Sequence, residues 1–208
     1  MTCSVLPLFS SPIYVNKELD INVEIFSSLL DKLEYEMTPN GDGWISKNQF
    51  LLLEDQFSFI REKVESNLKS YLHDVLKVSK NYKLKHSCSW SIYHEKGNWC
   101  RPHLHTNSLF SGVLYFSTPI NSGGYLSFSA IRQVPSWSPP TMEPTVDEYN
   151  IFNSKSWDIP LEPGLVCIFP SHVLHQVSAS QTNERRRCIS FNYFLEGEFG
   201  DKTNYTKF

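Results

Sequence analysis

Apolar positions change their period once along the chain, from spacings of three and four before residue 82 to short, partly alternating runs after it. Following an extended opening around Val5 to Val15, residues Val23, Phe26, Leu29, Leu30 and Leu33 predict a helix capped by Asp20. Gly41 and Gly43 predict a loop beyond it. A longer stripe, Leu53, Phe57, Ile60, Val64, Leu68, Leu72 and Val75, predicts a second helix. Its charged positions, such as Glu54, Arg61, Glu62 and Lys69, fall on other faces, so the stripe is read as core packing.

From Lys83 onward the runs are bounded by Gly, Pro, Ser and Asn, which marks a strand-rich region. The predicted strands are Lys85–His94, Leu109–Phe116, Tyr125–Ser129, Leu165–Phe169, Leu174–Val177 and Arg186–Leu195. Pro135 to Pro163 carries little periodicity and is read as a long loop with one strand near Tyr149–Asn153; loops of that length are commonly lids or binding edges. Helices followed by many short strands indicate an α+β fold in which the helices buttress a sheet or barrel. The expected organisation is one domain over 1–208, with a strand and supporting helices in 1–82 and a strand-built core in 83–208.

Composition narrows the class. At 208 residues the chain can bury one sizeable core, and 40% hydrophobic with 14% aromatic residues describes a globular protein. A net charge of -3 gives no electrostatic sign of a nucleic-acid partner. Cys3, Cys88, Cys100, Cys167 and Cys188 are odd in number and show no C-x-x-C spacing, so a reducing compartment is expected. No basic leader and no membrane-length apolar run is present in the sequence, and the expected location is cytoplasmic.

Candidate chemistry concentrates in two histidine signals, Arg101-Pro-His103-Leu-His105 and Phe169-Pro-Ser-His-Val-Leu-His175. If Leu104 lies in a strand, His103 and His105 project from one face with Cα atoms roughly 6.6 Å apart, close enough to grip one metal. Imidazoles suit zinc, iron, copper and nickel alike. His172 is the alternative to His175 but falls in the turn, whereas His175 opens a strand. In the last predicted strand Arg186, Cys188, Ser190 and Asn192 share one face, and Arg187, Ile189, Phe191 and Tyr193 the other. Packing of the apolar face would aim Arg186 inward, where its planar fork suits a carboxylate. Arg185 reads as solvated, and Arg187 competes with Arg186 for the inward role. His73, His86 and His94 form no spaced pair, and Cys100 and Cys167 are read as packing residues.

On these residues, Tyr93 to Phe194 resembles the double-stranded β-helix core of Fe(II)- and 2-oxoglutarate-dependent oxygenases. The likeness is to the prolyl-hydroxylase-like group and a related set in bacteria and tailed phages. His103, His105 and His175 match that family's metal positions, and Arg186 matches the basic residue that binds the cosubstrate. Phe110-Ser-Gly-Val-Leu-Tyr-Phe116 and Ser122-Gly-Gly-Tyr-Leu-Ser-Phe128 resemble its next two strands. Tyr115 and Tyr93 fall where such enzymes place tyrosines near the cosubstrate. The resemblance implies a jelly-roll, cupin-like barrel using Fe(II), 2-oxoglutarate and O2 to hydroxylate an unidentified small-molecule or peptide substrate, with 2-oxoglutarate decarboxylated to succinate. His105 departs from the usual carboxylate at the second ligand position; Glu95 is a candidate to supply a carboxylate instead.

Two other readings stay open. A cupin also carries H-x-H and a distal His, but its first motif places a glutamate four or five residues later, where this chain has Leu109 and Phe110, and it gives no reason for Arg186. A metal-free barrel acting as a binding module would satisfy its histidines internally. Trp137, Trp157 and Tyr149 are candidates for an aromatic substrate rim.

Overall fold

The computed structural model of the chain describes residues 4–8, 10–117, 124–130 and 144–208. Strand β1 (Tyr14–Asn16) is followed by helix α1 (Val23–Leu30). The cap of α1 is Asn22 rather than Asp20: its side-chain oxygen accepts from the Ile25 N–H at 3.1 Å, satisfying one of the free donors of the first turn. Gly41 and Gly43 belong to the turn of a hairpin, β2 (Tyr35–Met37) and β3 (Trp44–Ser46), in place of the expected open loop. Gly41 takes φ +70°, which a glycine adopts without steric cost. The second apolar stripe begins as two 3-10 turns, Leu51–Leu53 and Asp55–Phe57. It continues as α2 (Ser58–Lys69) and closes as a π-turn over Ser70–Val75.

The strand-rich part contains β4 (Lys83–His94), β5 (Cys100–His103), β6 (Phe110–Ser117), β7 (Tyr125–Ser129), β8 (Ser156–Pro160), β9 (Val166–Pro170), β10 (Leu174–Val177) and β11 (Arg186–Glu196). A short hairpin of β12 (Glu198–Phe199) and β13 (Thr206–Lys207) follows. The strand expected near Tyr149–Asn153 is instead a turn held by Asn150, whose side-chain and backbone oxygens accept from Phe152 and Ser154. The strand lies at β8, where Leu126 and Ile159 form a cross-strand pair.

Two sheets face each other. One is ordered β1-β9-β6-β11-β4-β3-β2 and the other β5-β10-β7-β8, and the named pairings are antiparallel. This is the double-stranded β-helix arrangement. Period-2 alternation sends Ile189, Phe191 and Tyr193 of β11 to the back of the large sheet. There they join Leu114, Phe116, Ile168 and the buried stripe Ile60, Val64 and Leu68 of α2. The opposite face contributes Cys188, Val113 and Tyr115 to a second cluster with Leu126, Phe128 and Val177 of the small sheet. At Gly112 a Cβ would stand 2.4 Å from the Phe191 ring and 2.9 Å from the Cys167 carbonyl oxygen, so the strand can approach its neighbours this closely only without a side chain.

Candidate metal centre

β10 runs between β5 and β7, and its antiparallel register pairs His175 directly with His103 on one side and Phe128 on the other. Directly opposed residues point to the same face, so both imidazoles enter the space between the sheets. β5 ends at His103, so His105 does not reach the site by strand alternation as expected. A different device places it: its backbone N–H donates to the Ser171 carbonyl at 2.9 Å, tying the segment to the turn between β9 and β10. Ser171 is buried, and its hydroxyl lies 2.8 Å from those of Ser108 and Ser111, the latter donating to Asn192 at 2.8 Å.

The ligand-capable atoms of His103, His105 and His175 all lie within 4.8 Å of one another. Nδ1 of His103 stands 2.9 Å from the Arg101 carbonyl, and Nδ1 of His175 stands 3.0 Å from that of Val173. A proton on each Nδ1 donates to these carbonyls, which leaves Nε2 of both rings as the free electron-pair donor. Burial, followed by the neighbouring His103, lowers the His105 pKa to about 4 and the His175 pKa to about 3. Both are therefore neutral near pH 7, the state a metal requires of a histidine. His172 is exposed and outside this group. Among the described residues no carboxylate joins the three imidazoles. Glu95 is engaged elsewhere, accepting from Arg185 at 3.3 Å.

A cavity leads inward from the histidines, lined by Trp90, Ile92, His94, Tyr115, Cys188 and Ser190 among others. Arg186 is 1% exposed, pairs directly across β4–β11 with the lining residue His94, and feels Tyr115, Cys188 and Cys100 electrostatically. One Nη2 hydrogen bond goes to the Ser178 carbonyl at 2.8 Å, while Nε and Nη1 are buried with no partner among the described residues. Buried donors in native proteins are almost always paired, so a guanidinium with two free N–H edges fits an anionic ligand that completes it. Arg187 points the other way and pairs with Asp31 at 2.6 Å. Arg185 lies 4.6 Å over the Tyr93 ring.

Tyr115 faces the cavity, buried, with its pKa raised by burial. Tyr93 does not. Because Trp90, Ile92 and His94 of β4 line the cavity, period 2 turns Tyr93 to the other face, where it stacks on Trp44 at 5.8 Å and meets Tyr35 edge-on at 4.9 Å. His94, which forms no spaced pair in the sequence, takes the cavity-facing place, as alternation from Trp90 dictates. Burial and then Arg186 lower its pKa to about 3. Cys100 and Cys188 also line the cavity, their thiol pKa values pushed up by burial to about 11 and about 12, so neither is poised as a nucleophile. Trp157 is half exposed and pairs across β7 with Phe128, itself paired with His175. Tyr149 is exposed, and Trp137 lies outside the described residues.

Residues 88–192 match a protein family described as "Putative 2OG-Fe(II) oxygenase". Among solved structures the chain is similar to HygX from Streptomyces hygroscopicus, determined with nickel, 2-oxoglutarate and hygromycin B bound. That likeness has 14% identity, covers 88% of this chain and 83% of that one, and gives a TM-score of 0.61. A prolyl-4-hydroxylase from Pseudomonas putida aligns at 12% identity over 91% of this chain and 96% of its own, TM-score 0.58. An oxidoreductase of the 2OG-Fe(II) oxygenase family from Burkholderia pseudomallei aligns at 12% identity over 83% and 77%, TM-score 0.55. At these identities the likeness to the solved structures is one of fold. No curated protein matches the sequence.

Proposed function

The chain belongs to the 2OG-Fe(II) oxygenase family, and from that premise we propose that it hydroxylates a small-molecule or peptide substrate, with Fe(II) held by His103, His105 and His175 and 2-oxoglutarate held by Arg186. One observation carries this reading. Three convergent imidazoles line a cavity, and a buried guanidinium with Nε and Nη1 unpartnered among the described residues stands across the β4–β11 pair from its lining residue His94. A cupin-type site would need the histidines but not the arginine, so the free guanidinium edges favour the 2-oxoglutarate reading.

Bound together, Fe(II), 2-oxoglutarate and O2 supply the oxidation, converting 2-oxoglutarate to succinate and carbon dioxide while one oxygen atom enters a substrate C–H bond. The residues of this chain do the positioning. The Arg101 and Val173 carbonyls fix the rings of His103 and His175 through Nδ1, so that both ligands meet the metal preformed. Three neutral ligands leave the metal's double positive charge unbalanced, which favours a dianionic cosubstrate beside it. Arg186 attracts the far carboxylate with a charge held at fixed distance from the histidines. Ile92, Val113, Leu126 and Phe169 keep water from the cavity. Tyr115 stands in the cavity wall as a further contact for the cosubstrate. The half-exposed Trp157, two strands from His175, supports substrate entry on the β8 side. Hydroxylation is carried from the likeness to the prolyl-4-hydroxylase fold.

No helix of the described residues is long and apolar enough to cross a membrane. The described cysteines, Cys88, Cys100, Cys167 and Cys188, are free thiols, which fits the proposed cytoplasmic location.

The test is an anaerobic visible spectrum of metal-free protein given Fe(II) and then 2-oxoglutarate. A charge-transfer band is expected only after both additions, and no band is expected in His103→Ala. Metal binding without the band would return the site to the cupin reading.

A further inference from the structure

Resting on the reading that 2-oxoglutarate occupies this cavity, we propose that His94 is the cavity-side contact for its far carboxylate. In this arrangement His94 donates an imidazole N–H while Arg186 supplies the charge behind it. Three observations meet here. The β4–β11 register makes His94 and Arg186 direct cross-strand partners, so their side chains rise from the same face as neighbours. Arg186 does not itself line the cavity, whereas His94 does. His94 is 4% exposed and lines the cavity, and among the described residues no side chain or backbone group is hydrogen-bonded to its ring, which leaves the imidazole able to turn a donor toward a ligand there.

The surroundings hold this ring in place. The turn of the β2–β3 hairpin presses against it so closely that a Cβ on Gly43 would stand 3.0 Å from Cδ2 and 3.1 Å from Nε2. Asp42, the acidic neighbour on that turn, takes a backbone-held position with Thr38 and lies 3.8 Å from Arg101. Burial and the Arg186 charge keep the imidazole neutral, so it carries one N–H to give and adds no second positive charge. A carboxylate has room for donors on both oxygens, and the pair would offer the fork of Arg186 from behind and a single donor from the side.

The experiment is a calorimetric titration of the full chain loaded with Mn(II), using 2-oxoglutarate and, separately, oxalate, which chelates the metal but has no far carboxylate. His94→Leu is expected to weaken 2-oxoglutarate binding by about tenfold or more while leaving oxalate and Mn(II) affinities unchanged, and His94→Gln, which keeps an N–H donor, to recover most of the loss. Gly43→Ala, which crowds the ring from another element, is expected to reproduce the selective loss. Unchanged 2-oxoglutarate affinity in folded His94→Leu, or equal loss for oxalate, would overturn the assignment of His94. A wild-type chain that binds Mn(II) and oxalate but not 2-oxoglutarate would instead overturn the cosubstrate reading beneath it.

Discussion

The two faces of β11 share one backbone and meet opposite fates. On the back, Ile189, Phe191 and Tyr193 are sealed by α1, α2 and β6 and have every neighbour they need within the chain. On the front, Cys188 and Ser190 border a cavity, and Arg186, the direct cross-strand partner of the lining residue His94, keeps two nitrogens without a hydrogen-bond partner among the described residues. The back face is complete as folded, and the front face is completed by what binds there. Stability should therefore reside behind the strand and function in front of it, with the front residues costing some of the stability that the back supplies.

The largest effect should come from inverting the front. Arg186→Met is expected to weaken 2-oxoglutarate binding by roughly a hundredfold or more while Mn(II) affinity is kept, since a buried charged donor is lost from the ligand. The same variant should melt at or above the wild-type temperature without ligand, because removing an incompletely paired buried charge is neutral or stabilising by about 1–4 kcal/mol. A lower melting temperature with intact cosubstrate affinity would erase the contrast between the faces. Phe191→Ala should show the reverse profile, losing about 3–5 kcal/mol in denaturant unfolding through the cavity it leaves.

The same contrast extends to β4 through pH. His86 sits on the helix side, its Nε2 2.9 Å from the Ser89 hydroxyl and its ring edge-on to Tyr193 at 5.3 Å. Burial and then Arg61 lower its pKa from 6.5 to about 4. Below pH 6.5 the unfolded chain takes up this proton before the folded one, so stability is full above pH 6.5 and is lost as pH falls toward 4. Melting curves of His86→Leu should lose that part of the acid dependence. The smallest effect is expected at Arg187, whose partly exposed pair with Asp31 is worth about 1 kcal/mol or less, with 2-oxoglutarate affinity unchanged in Arg187→Ala.

Period-2 alternation made much of this legible in the sequence. The strands β7 and β10 fall at their expected bounds, and the split of Arg186 from Arg187 follows from the apolar alternation of β11 alone. What alternation could not carry is set by contacts distant in sequence. His105 reaches the imidazole cluster by a backbone bond to Ser171, which no local spacing encodes. The hairpin at Gly41 and Gly43 is stabilised by pairing of β3 with β4, including Trp44 opposite Tyr93, and the short runs Tyr35–Met37 and Trp44–Ser46 give little signal on their own. The family resemblance points to Tyr93, but the phase of β4, with Trp90, Ile92 and His94 facing the cavity, turns Tyr93 to the other face.

β1 brings a different consequence. Tyr14, Val15 and Asn16 lie against Ile168, Cys167 and Val166, covering the outer edge of a strand whose buried residues run without a polar break from Leu165 to Phe169. Cleaving or trimming the chain past Asn16 would leave that row of backbone donors and acceptors open beside an apolar run, an invitation to pair with another molecule. A shortened form that precipitates would thus report on self-association at β9 rather than on damage to the histidine cluster.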